Sequence, residues 1–193
     1  MIADWHGQPD DLNLVKPAPA QALRQTRTGA DKTKTGALLT AAQTEQFAVT
    51  TNNFSNRFAA LKPTPLEEQA FALVNEERQL QHLAPLAWDL KMLYLAREHS
   101  ENMARLNFFS HQGRDGKMAD DRANEIGVTD WLGIGENIAF SQGVKKCVES
   151  AVQDWANSQH HKENMLDKRW TRSGIGIAQT PEGKFYITQV FRD

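Results

Sequence analysis

The chain has 193 residues, of which 40% are hydrophobic, and a formal charge of -2 at neutral pH. That length suits one domain plus an appendage or two small domains, and the near-balanced charge argues against the basic surface that nucleic acids or anionic membranes select. No apolar run reaches the 18 residues of a transmembrane segment, and the single cysteine, Cys147, rules out an intramolecular disulfide or a thiolate metal cluster.

At the N-terminus, "MIADWHGQPDDLNLV" lacks a basic stretch followed by an apolar core and does not read as a signal peptide. Residues 1–62 are rich in Ala, Thr, Gln, Lys and Gly, carry Pro9, Pro17 and Pro19, and hold few large apolar side chains. Such a stretch buries too little surface to offset its ordering entropy, so it reads as a linker-like arm. Within it Phe54, Phe58 and Leu61 follow i, i+4, i+7 spacing, which predicts a short helix docking on the domain.

The domain proper is expected over 63–193. Pro65 followed by "LEEQAFALVNEERQLQHL" suits a helix start, with proline in the first turn and carboxylates near the positive end of the dipole. Asp89 is a candidate N-cap for "LKMLYLAREHSENMARLNF", a helix of about five turns. Val144, Cys147, Val148, Ala151, Val152 and Trp155 trace the apolar stripe of a third helix, on which Cys147 reads as a buried, inert thiol. Strand patterns occur in "GIGENIAF", "SGIGIAQT" and "KFYITQVF", the last two joined by a "PEG" turn. Helices around a small, mixed or largely antiparallel sheet make an α/β layered domain.

Three places break the apolar pattern. One face of "GIGENIAF" carries Ile134, Glu136, Ile138 and Phe140. A carboxylate there needs an ionic partner, such as one of the arginines, or an opening to water. His111 follows the C-terminus of the long helix, where imidazolium is favoured by the dipole. His160 and His161 stand side by side, so only one of them can face a given site. Two histidines and a glutamate are the beginning of a zinc site, although no HExxH, CxxC or EF-hand spacing is present.

Taken together, "LVNEERQ", "HSENMARLNFFSHQG", "GENIAF", "SQHHKENML" and "GIGIA…GKFYITQVF" resemble the CAP superfamily of cysteine-rich secretory, antigen 5 and pathogenesis-related proteins, and its bacterial extracellular SCP-domain branch in particular. The resemblance runs from about Leu66 to Phe191. It implies a three-layer α-β-α sandwich whose cleft holds His111, Glu136 and His161, with His160 as a surface neighbour. Ser158 stands where many eukaryotic members carry a second glutamate, and Asn137 and Asn164 match residues that brace loops around the cleft. His111, Glu136 and His161 are the implied ligands of Zn²⁺ or another divalent cation. The implied setting is extracellular or cell-surface.

Three functions follow as expectations. The first is a secreted binding module for a small apolar ligand or a protein or cell-surface partner, without nucleic acid. The second is a metal-assisted hydrolase with His111, Glu136 and His161 around a bound water, or a metal-free variant using Ser110 or Ser158. The third is a purely structural role for the polar cleft.

Overall fold

The computed structural model describes Phe58 and residues 60–193. The chain runs α1 (Pro65–Leu80), β1 (Ala87–Trp88), α2 (Leu90–Leu106), α3 (Ala119–Glu125), β2 (Ile134–Gln142), α4 (Cys147–Asn157), α5 (Gln159–Met165), β3 (Arg172–Gln179) and β4 (Lys184–Arg192). The four strands lie in the order β1-β3-β4-β2, with β1 parallel to β3 and the other pairs antiparallel. The sheet is therefore mixed, as the sequence predicts.

The starts of α1 and α2 are chemically marked. Thr64 caps α1 in a reciprocal box with Glu67, and Pro65 takes the first turn, where its missing N–H leaves no bond unmade. Asp89 caps α2 by accepting from the amides of Lys91 (2.8 Å) and Met92 (3.3 Å). The helix α2 ends at Asn107, whose φ of 47° turns the chain out of the helix. One expectation shifts: α4 begins at Cys147, so Val144 falls in the preceding loop and is 48% exposed. Cys147 is buried, and burial pushes its thiol up, as an inert core cysteine requires. Phe58 is helical and packs edge-on against Tyr94 (ring centroids 5.5 Å apart), while Phe54 lies outside the described residues.

Both faces of the sheet are covered. On one side Ala70 and Val74 of α1 and Val148, Val152 and Trp155 of α4 pack with Ile175, Ile187 and Phe191. On the other, Met92, Leu95 and Ala96 of α2 and Ala119 and Ala123 of α3 pack with Ile134 and Val190. This is the α-β-α sandwich, and cover on both faces explains why β2 and β4 are buried at most positions, polar residues such as Glu136, Asn137, Thr188 and Gln189 included.

The close seat of α2 depends on the glycines of "SGIGIA". A Cβ at Gly174 would lie 2.0 Å from the Leu93 amide nitrogen, and one at Gly176 would lie 2.1 Å from that of Arg97. One turn further on, the Ser100 hydroxyl reaches both the Gly176 carbonyl (2.9 Å) and Thr188 Oγ1 (2.8 Å). Helix backbone therefore rests directly on strand backbone. A second anchor is the buried Glu67, whose carboxylate accepts from Arg97 Nε at 2.7 Å and from the Ile177 amide at 3.3 Å, tying α1, α2 and β3 together.

A methyl group at this contact has nowhere to go. Gly176→Ala is expected to lower unfolding free energy by about 3 kcal/mol, the upper end for overpacking, because the opposing atoms are backbone. Urea unfolding at neutral pH measures it, and the neighbouring surface substitution Gln179→Ala serves as the neutral control.

Candidate functional site

Among the described residues β2 is an edge strand, with no partner strand on its outer side to satisfy its backbone. Side chains from the α4–α5 layer do this instead. The Trp155 indole donates to the Ile138 carbonyl (3.1 Å), and Asn164 Nδ2 donates to the Glu136 carbonyl (3.1 Å). Asn164 also donates to Asn137 Oδ1 (2.9 Å), and Asn137 donates to the His161 carbonyl (3.0 Å). The two asparagines thus lock the backbones of Glu136 and His161 to each other. Groups from opposite layers meet over this strand.

Glu136 projects from β2 toward the α2 side and its side chain is only 3% exposed. Its Oε1 accepts from His111 Nδ1 at 2.9 Å, and its Oε2 accepts from Arg122 Nη2 at 2.5 Å. His99 Nε2 lies 3.8 Å from Oε1 and donates to the Ser110 carbonyl at 2.9 Å. Burial alone would raise the Glu136 carboxyl. The Arg122 charge, the His111 hydrogen bond and the nearby His99 reverse this and hold it at about 2.

Arg122 does more than neutralise. Its Nη1 donates to the carbonyls of His111 (3.1 Å) and Lys117 (3.0 Å), so one guanidinium from α3 fixes both the carboxylate that orients His111 and the peptide that carries it. His99 holds the preceding peptide from α2. Its imidazole is lowered chiefly by burial, against the pull of Glu136.

His161 enters from α5. Ser158 separates α4 from α5, ending one helix and opening the next, and its hydroxyl lies 2.9 Å from His161 Nδ1. Burial first, then the neighbouring His111 and His160, push the His161 imidazole down to about 4, so the ring is neutral at pH 7. His160 is exposed, whereas His161 is only partly so. The adjacent pair is divided as the geometry of a helix demands.

The structure therefore gathers His111 and Glu136 into direct contact and brings His161 to the same edge strand through its carbonyl and its charge interaction with His111. It does not assemble the three as a metal ligand set. Among the described residues no three His, Cys, Asp or Glu side chains are arranged to hold a metal ion, and the Glu136 oxygens are bonded to His111 and Arg122. The residues present do not fit a three-ligand zinc centre. Nor does a Ser/His/carboxylate relay form: Ser158 touches His161, whereas the carboxylate touches His111. Ser110 Oγ instead accepts from the Gln112 amide at 3.1 Å.

Two members of the network, His99 and Arg122, carry weak sequence signals. His99 falls on the apolar stripe of α2 between Leu95 and Met103, four residues from each, where a histidine is out of character. Arg122 sits between the buried Ala119 and Ala123 on a helix of seven residues, too short for its face to be read from periodicity.

A mixed sheet covered by helices on both faces, with a His/Glu cleft over an edge strand, defines an α-β-α sandwich domain with a polar cleft. The chain belongs to the CAP, or cysteine-rich secretory protein, family, whose model matches residues 71–191. It is 34% identical over 114 residues to "Uncharacterized protein YkwD" of Bacillus subtilis (strain 168), covering 59% of this chain and 43% of that protein. It is 35% identical over 128 residues to "Uncharacterized membrane protein YlbC" of the same strain, covering 66% and 34%. This chain thus spans less than half the length of the curated relatives it matches. Among solved structures, an extracellular protein containing a SCP domain from Bacillus anthracis str. Ames is 30% identical with a TM-score of 0.58, covering 69% of this chain and 45% of that one. An outer surface protein from Borrelia burgdorferi, at 17% identity, shares the fold with a TM-score of 0.61 over 69% of this chain and 96% of that one.

Removing Arg122 strands a buried carboxylate. Arg122→Gln is expected to cost about 3 kcal/mol of stability at pH 7, as breaking a buried pair from one side does. Glu136 has a folded pKa of about 2 against an ordinary 4.5. Its contribution is therefore complete above the ordinary value and is lost as pH falls toward the folded one. Denaturant unfolding between pH 7 and 2 should show the gap between wild type and variant narrowing across that window.

Proposed function

We propose that this chain is a binding module acting outside the cell, at its surface or beyond it, and that its cleft receives a small apolar ligand or a protein or cell-surface partner without turning it over. The observation that carries this reading is the full commitment of Glu136. A general base must be free to take a proton near the working pH. Glu136 is ionised, doubly bonded and held at about 2, so it acts as a brace for His111. The extracellular setting is supported by the description of the Bacillus anthracis relative as an extracellular protein. No helix among the described residues is long and apolar enough to cross a membrane.

A divalent cation such as Zn²⁺ would find the imidazoles of His111 and His161 and, among the described residues, no third side-chain ligand arranged with them. That is fewer than the three protein ligands of a catalytic zinc site, and no chemical step is assigned to it. What these residues do on their own is hold shape: Glu136 fixes the tautomer of His111, with Nδ1 protonated, and the asparagines fix the approach of His161.

Calorimetric titration of metal-stripped protein with Zn²⁺ near pH 7, beside a His111→Ala/His161→Ala variant, is expected to give weak one-site binding that the variant loses. The same proteins and His161→Ala, assayed with ester, peptide and phosphate substrates, should show no turnover that depends on His161. Turnover abolished in a folded His161→Ala protein would overturn the binding reading in favour of hydrolysis.

A further inference from the structure

Beside the cleft, the turn that carries His111 has a second, outward side. There an open cavity of about 520 Å³ is lined by Phe108, Phe109, Ser110, Gln112 and Arg114, among others. We propose that this cavity is a separate binding site for an anionic ligand bearing an aromatic or other flat group, with Arg114, seated over the buried Phe108, taking the charge and Phe109 taking the ring. The site needs neither His111 nor His161 and goes beyond the reading of the cleft given above.

The volume lies within the range of small-molecule sites, roughly 300–1,000 Å³. Among the described residues, Arg114 is the lining side chain that carries charge and no carboxylate lines the cavity. Its guanidinium stands 4.9 Å from the centroid of Phe108, and no carboxylate among the described residues is seen to pair with it. The adjacent Asp115 is taken by Lys117, whose ammonium lies 3.2 Å away. A planar guanidinium held over a ring keeps its forked donors for a carboxylate or phosphate, which it meets with two parallel bonds.

The aromatic floor continues past the cavity. Phe109 meets the 37%-exposed Phe140 edge-on, with centroids 5.0 Å apart, and Lys184 Nζ stands 4.4 Å from the Phe140 centroid. Cations at both ends of a phenylalanine strip select for negative charge joined to a flat apolar body. Purely apolar ligands would leave the guanidinium unused, and purely ionic ones would leave the rings unused.

The turn itself is already set. The Gly113 amide donates to the Lys117 carbonyl (2.9 Å), the Gly116 amide to the Gly113 carbonyl (2.9 Å), and Gln112 Nε2 to the Gly116 carbonyl (2.9 Å). Arg122 grips the Lys117 carbonyl from beneath. A site whose backbone is fixed before the ligand arrives loses little ordering entropy on binding.

The test is a titration of the ¹⁵N-labelled 193-residue chain followed by amide shifts over 108–116. The probes are phenyl phosphate and N-acetylphenylalanine, which carry ring and charge, N-acetylphenylalaninamide, which carries the ring alone, and acetate, which carries the charge alone. Saturable shifts are expected with either or both ring-bearing anions, and the stronger of the two tells an aryl phosphate from a peptide-type carboxylate. Affinity should fall about tenfold in Arg114→Gln, the loss of one charge-assisted contact, and also for the neutral amide. Arg114 is exposed, and the variant leaves the cleft side chains in place, so its Zn²⁺ titration should match wild type. The proposal is overturned if neither anion gives saturable shifts, if Arg114→Gln binds as tightly as wild type, or if the neutral amide binds equally well.

Discussion

The rest of this structure depends on the placement of one carboxylate. Glu136 occupies an apolar strand face between Ile134 and Ile138, both buried. A lone ionised carboxylate there would cost several kcal/mol or take up a proton. The fold answers with a guanidinium on one oxygen and an imidazole on the other, and with a second imidazole close by. Those partners come from α2, α3 and the turn between them. Neutralising Glu136 therefore also fixes where α3 lies and how the turn over 110–117 is shaped.

The opposite wall of the cleft follows from a different constraint. An edge strand must hide its unpaired backbone, and β2 does so with Trp155 and Asn164 from the far layer. Asn137, held in turn by Asn164, brings the His161 peptide over the edge toward His111. Depth is set by the glycine contact of α2 on β3, because a helix raised by one methyl group would lift His99 and the whole turn from the sheet. Two imidazoles from opposite layers thus face one strand, one braced by a carboxylate and one set beside a hydroxyl.

Much of this was legible in the sequence, and for physical reasons. Pro65 and Asp89 mark helix starts by local chemistry, the "GIGENIAF" alternation places Glu136 on an apolar face, and adjacency alone separates His160 from His161. The arginine partner of Glu136 could be anticipated as a kind, not as Arg122, because the pairing spans 14 positions and depends on how α3 packs. His99 was hidden for a similar reason, since its role is set by the carbonyl of Ser110, which only the folded turn presents. The apolar stripe of α4 extended too far back to Val144 because periodicity carries no signal for where a helix begins when the residue before it, Lys146, offers no side-chain cap.

The central claim is that Glu136 is an ionised, fully engaged brace. Carbon-13 NMR of the Glu136 side-chain carboxyl across pH, assigned with Glu136→Gln, tests it most directly. The account predicts a titration midpoint near 2, with the His111 Nδ1–H donating to the carboxylate. A midpoint at the ordinary glutamate value or above would contradict it, and would return Glu136 to the set of groups free to act as a base or a metal ligand.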